Sequence, residues 1–91
     1  MKTFAATREQ RDELEGLAYW IADRAWSLER GELDEHEDSR TDNTIRAIFD
    51  ALDRLAVPYW VQNAVCCWAE DWRRTMKENL RDAMRAEQIT L

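Results

Sequence analysis

The stretch Asn43–Tyr59, NTIRAIFDALDRLAVPY, decides the fold class. Ile45, Ile48, Phe49, Leu52, Leu55 and Ala56 fall on one side of a helix while Arg46, Asp50, Asp53 and Arg54 fall on the other, the pattern of an amphipathic helix with one buried face. Val57-Pro58 ends it, because proline lacks an N–H and pushes the preceding residue toward extended geometry. Proline is also suited to the first position of a helix, so Pro58 is expected to open the next one across a tight corner.

Working back toward the N-terminus, Ser39, Thr41, Asp42 and Asn43 compete as N-caps, which predicts a helix over about 44–56. The run Glu32–Asp42 has no apolar periodicity and reads as a solvated loop over about 31–43, with room for a short extra helix. Gly31 is the expected stop of a first helix over about 8–30, since glycine takes the left-handed cap conformation freely. Thr7 and Gln10 have capping-box spacing, and Leu14, Leu17, Ala18, Ile21, Ala25 and Leu28 form its apolar stripe.

Beyond the corner, a third helix is expected over about 58–85, with Val61, Val65, Trp68, Trp72, Met76 and Ala83 on one face. Its first half, Tyr59 to Ala69, is apolar nearly all round; from Glu70 onward it is charged, with Glu70–Arg74, Asp71–Arg74 and Glu78–Arg81 at pairing distance along a helix. Glu87–Leu91 are expected to fray. The predicted fold is all-α: a single domain over 1–91, an antiparallel three-helix bundle with an acidic loop between helices 1 and 2.

Composition agrees. The chain has 91 residues, 45% hydrophobic and 35% charged, too apolar for a disordered tail and too interrupted by charge for a membrane span. Two Gly and one Pro leave too few turn residues for a many-stranded sheet. A domain this small buries roughly two thirds of its unfolded surface, so large side chains must build the core, and five Trp supply much of it. Cys66 and Cys67 are neighbours, a spacing that strains a disulfide within a helix, so both read as reduced thiols. The N-terminal stretch Met1–Gln10 lacks the apolar run of a signal peptide, so a cytoplasmic location is expected.

The formal net charge of −6 comes from 19 acids and 13 bases, and it is not evenly spread. Residues 31–42 hold Glu32, Asp34, Glu35, Glu37, Asp38 and Asp42 against Arg40 alone, a balance of −5, while residues 43–91 sum to zero. A concentrated acidic segment can imitate the phosphates of nucleic acid and occupy a basic groove on a partner; it can equally be a solvated linker.

Chemistry has little support. Asp34, Glu35, His36, Glu37 and Asp38 are potential metal ligands, but they lack the alternating oxygens and central glycine of a calcium loop, and the chain has too few Cys and His for a structural zinc. No metal or cofactor is expected. Cys66 and Cys67 lie in an apolar stretch that raises a thiol pKa, far along the chain from the only His, and short helices leave little room for a catalytic carboxylate pair. No catalytic residue is assigned, and an enzyme is not expected.

The aromatic residues divide by phase. Trp68 and Trp72 fall on the main apolar face of the third helix, whereas Tyr19 and Trp26 lie roughly 120–140° from the centre of the first stripe and Trp60 lies with Cys67 on a second line of the third helix. These off-stripe aromatics either seal bundle edges or anchor a protein partner, where Trp and Tyr are the usual energetic centres. Arg74, Lys77, Arg81 and Arg85 make a basic ridge, but Glu70, Asp71, Glu78 and Asp82 interleave with it, so direct nucleic-acid binding is not expected.

A chain of this size, charge and helical content, with the Trp-rich segment LDRLAVPYWVQNAVCCWAEDWRR at Leu52–Arg74, resembles the small anti-CRISPR proteins of phages and mobile elements. The resemblance implies an inhibitor working in the host bacterial cell, one that binds a multisubunit CRISPR effector complex and blocks its access to DNA. The expected partner-binding residues are Glu32, Asp34, Glu35, Glu37, Asp38 and Asp42 as the phosphate mimic, with Tyr19, Trp26 and Trp60 as anchors. A structural homo-oligomer joined through the Trp60–Cys67 flank, and a small acidic regulatory or antitoxin-like protein, remain alternatives, so monomer and homodimer are both open.

Overall fold

Thr7 starts the first helix as its spacing predicts: the Gln10 N–H donates to Thr7 Oγ1 at 3.2 Å, and the Thr7 N–H donates to Gln10 Oε1 at 2.9 Å. The other end of the Gln10 amide donates to the Leu55 carbonyl at 2.8 Å, so one side chain both caps a helix and ties it to the end of the next. A computed structural model describes residues 2–31 and 35–91, with the backbone alone for residues 35–38. Its elements are β1 (Phe4–Ala5), α1 (Arg8–Arg30), α2 (Glu35–Arg54), α3 (Tyr59–Ala69), α4 (Trp72–Lys77), α5 (Leu80–Ala86) and β2 (Ile89–Thr90). The chain is mostly helical, with five helices and one two-stranded pairing among the described residues.

Gly31 closes α1 with φ 67°, its N–H donating to the Leu28 carbonyl. The end of α2 uses the same device without a glycine. The Val57 N–H donates to the Leu52 carbonyl at 3.0 Å and the Ala56 N–H to the Asp53 carbonyl at 3.1 Å, a Schellman closure in which Ala56 adopts φ 59°. Pro58 then stands one residue before α3, as its N-cap at φ −60° and ψ 147°, and not at the first helical position. Gln62, 4% exposed, braces this corner by donating from Nε2 to the Val57 carbonyl at 3.0 Å and to Asp53 Oδ1 at 2.9 Å.

Three expectations are corrected. The segment 31–43 is not a loop throughout: α2 begins at Glu35, and Ser39, Thr41, Asp42 and Asn43 lie inside it. The reason is electrostatic and local. Acidic residues suit the positive end of a helix, and Arg24 of α1 pairs with Asp42, so the extension is held without an apolar stripe. Glu32 and Asp34 lie outside the described residues.

The predicted helix over 58–85 is divided among α3, α4 and α5. Asp71 leaves helical geometry at φ −93° and ψ 86° and caps α4, accepting from the Arg74 N–H at 3.3 Å. Asn79 caps α5, accepting from the Arg81 N–H at 2.9 Å. Short polar side chains that bond their own backbone favour such starts over helix interiors.

The C-terminus does not fray. Ile89 pairs in parallel with Phe4, and Thr90 with Ala5, while the Ile89 side chain is fully buried. The core it joins is built from Leu14, Leu17, Leu52, Val61, Val65 and Met84, with α1 packed against both α2 and α3.

Candidate functional site

Helix α1 presents two faces. Leu14, Leu17 and Ala18 are buried in the core; Glu15, Tyr19, Ala22, Asp23 and Trp26 recur at three- and four-residue steps on an adjoining face and line a groove of about 640 Å³. The opposite wall comes from α4 and α5: Trp72, Thr75, Met76, Leu80 and Arg81, with Trp68 of α3 also in the lining. Tyr19 is 65% exposed and Met76 75% exposed, and they share one groove with Trp26 and Trp72, the kind of contiguous apolar patch that marks an interaction site.

Carboxylate contacts hold the walls. Glu29, in the last turn of α1, accepts from the Trp72 indole N–H with one oxygen and from the Arg73 guanidinium with the other, which fixes the first turn of α4 against α1. At the opposite end, Arg81 of α5 reaches Glu15 of α1, with Nη2 to Oε1 at 3.3 Å. The outer aromatic faces carry the chain's own cations: Arg30 lies 4.5 Å from the Trp26 ring centre and Arg73 5.3 Å from that of Trp72, contacts that help set the rings' orientation. Tyr19 meets Trp20 edge to face at 5.8 Å. Among the described residues the Trp68 indole N–H is buried without a hydrogen-bond partner.

Of the aromatic anchors expected from sequence, Tyr19 and Trp26 stand together in this groove, and Trp60 does not. Trp60 is half-buried, with the Lys2 ammonium 6.0 Å from its ring centre, and lines a separate hollow of about 530 Å³ with Asn63, Cys67 and Ala83. Trp72 and Met76 were expected in the core and are partly and largely exposed groove residues. The caps at Asp71 and Asn79 were the signal that could have found them, because each restart changes the helical phase.

Of the acidic residues, Asp42 is committed to Arg24. Glu35, Glu37 and Asp38 lie in the first turn of α2, where their side chains, like that of His36, fall outside the described residues. Among the described residues, three members of the basic ridge pair with carboxylates: Arg74 with Glu78 at 3.7 Å, Arg81 with Glu15, and Arg85 with Asp82 at 3.8 Å.

The two thiols differ. Cys67 is exposed. Cys66 is partly buried, and burial, with the neighbouring Cys67 and Glu70 charges, pushes its thiol up to about 11, which disfavours the reactive thiolate. Among the described residues no group of three or more Cys, His, Asp or Glu side chains is placed to hold a metal ion, and no helix is long and apolar enough to cross a membrane.

Compared with known proteins, the chain matches no family model, no curated protein and no solved structure at a significant level.

Proposed function

We propose that the chain is a non-enzymatic inhibitor that works by binding a protein, and that its target is a multisubunit, DNA-targeting CRISPR effector complex. The observation that carries the protein-binding part is the groove beside α1, where Tyr19 and Met76 are exposed next to Trp26 and Trp72. Tyr, Trp and Met are enriched at protein interfaces, and Tyr and Trp are among the side chains that dominate their energetics. The class of target rests on the resemblance in size, charge and Trp-rich segment to anti-CRISPR proteins.

In this reading Tyr19 and Trp26 anchor the partner. Glu32, Asp34, Glu35, Glu37 and Asp38 face basic residues that otherwise hold DNA. Asp42 sets the first turns of α2 through Arg24 and acts only indirectly. The scaffold is an antiparallel arrangement of α1, α2 and α3 to which α4 and α5 add the second wall of the groove.

The test is a DNA mobility-shift and cleavage assay with purified multisubunit effectors. Wild-type protein is expected to block target binding at a one-to-one ratio with the complex. Tyr19→Ala is expected to weaken this while keeping the melting temperature, and conversion of the five acids to Asn and Gln is expected to abolish it at physiological salt. Unchanged DNA binding at a large excess of the protein contradicts the choice of target, and full inhibition by the five-acid variant contradicts phosphate mimicry.

A second reading is favoured by Cys67 and Trp60, which share the smaller hollow with Cys67 exposed: a homo-oligomer joined through that flank. Light scattering at micromolar concentration separates the two, since a strict monomer leaves only the first.

A further inference from the structure

We infer that the groove between α1 and α4–α5 receives an amphipathic helix of the partner, about three turns long with Lys or Arg along its flanks; the inference rests on the protein-binding reading above and names what that partner presents.

Length and shape point to a helix. The groove residues of α1 run from Glu15 to Trp26, about 16 Å at the rise of an α-helix, which matches anchors at i, i+4 and i+7 of an incoming helix. Both walls are helices, so no free strand edge is offered for an extended peptide to pair with. The exposed Tyr19 and Met76 leave the cleft open at its lip, where a small ligand keeps much of its surface wet; small-molecule sites bury most of theirs. Methionine at the lip also lets the wall adapt to different apolar anchors.

Charge selects the sequence of that helix. Glu15, Asp23 and Glu78 stand in the lining with Arg81; Arg81 engages Glu15 and Arg74 engages Glu78, which leaves Asp23 as the acid open to a partner. Asp23 is exposed and has no ion pair among the described residues. A helix with acidic flanks meets like charge here, and one with basic flanks meets its complement.

The experiment is calorimetric titration of the full chain with three synthetic peptides of about fifteen residues, the length of a groove-filling helix with its ends. They carry one apolar face flanked by Lys, the same face flanked by Glu, and the Lys composition scrambled. The Lys-flanked peptide is expected to bind, the Glu-flanked one to bind at least about tenfold more weakly, and the scrambled one not to bind. Asp23→Lys is expected to narrow or reverse the preference, and Ala22→Arg, with folding checked by circular dichroism, to abolish binding by filling the floor. Because Asp23 is exposed, its variant keeps the test sound even where Ala22→Arg disturbs the fold.

Equal affinity for the Lys and Glu peptides overturns the charge selection, and no binding of either overturns the groove as a helix site. Failure of the two readings is distinguishable. A folded Ala22→Arg protein that still blocks an effector keeps the inhibitor reading and removes the groove from it. Binding of the Lys peptide by a chain inert toward every effector keeps the groove and removes that target.

Discussion

Arg81 on α5 and Glu15 on α1, 66 residues apart in the chain, meet at 3.3 Å across one end of the aromatic groove. Both side chains are well exposed, so the pair contributes at most about 1 kcal/mol and less in salt. Arg81→Ala is therefore expected to lower stability by under about 1 kcal/mol. It also releases Glu15 to a basic partner, so affinity for the Lys-flanked peptide should rise severalfold at low salt. Urea denaturation and titration of one variant check both halves; weaker peptide binding contradicts the assigned role.

The end of α2 predicts a gain. Ala56 holds φ 59° in a closure that favours glycine. Ala56→Gly is expected to stabilise the protein by about 0.5–1 kcal/mol, the relief of a left-handed Cβ outweighing the added freedom of the unfolded chain. Thermal denaturation measures it, and a lower melting temperature contradicts the closure.

Gln62→Leu tests the corner from the other side. The Gln62 amide donates to the buried Val57 carbonyl, and its loss leaves that acceptor unsatisfied at a cost of about 1–3 kcal/mol. A urea midpoint equal to wild type contradicts the bracing role.

The thiols predict a pH dependence. Cys66 is raised from an ordinary value of 9.0 to about 11, so between those pH values the unfolded chain gives up a proton that the folded chain keeps. Stability from this group is then complete below pH 9 and declines as pH rises toward 11. Alkylation by iodoacetamide near pH 8 should label the exposed Cys67 well ahead of Cys66, read by peptide mass; equal rates contradict the burial of Cys66.

The features legible in the sequence were those written in a single residue's backbone chemistry. Thr7 with Gln10, Gly31 and Pro58 each mark a boundary that the structure keeps within a residue, because capping hydroxyls, a missing Cβ and a missing N–H act locally. Boundaries set by tertiary contact were not legible. The first turns of α2 have no apolar stripe to announce them, and Arg24, from another helix, meets Asp42 there. Ile89 is buried where it pairs with Phe4 from the other end of the chain and packs beside α5, contacts that no local pattern announces.

The same limit shaped the site. Tyr19 and Trp26 stood out because α1 is continuous and its phase can be counted over 23 residues. Met76 was misplaced because counting ran through Asp71, where the helix stops and restarts. Trp60 is off the main stripe as expected, but it lines a different hollow from the other two anchors, a separation that one-dimensional phase does not show.

The five tryptophans allow the groove to be tested in one spectrum, since each contributes one indole N–H signal and only Trp26, Trp68 and Trp72 line it. Titration of the ¹⁵N-labelled protein with the Lys-flanked helical peptide is expected to move those three signals and leave that of Trp60 in place. Trp68 lines both hollows, so the contradicting result is movement of the Trp60 signal with those of Trp26 and Trp72 unmoved, which places recognition in the hollow beside Trp60.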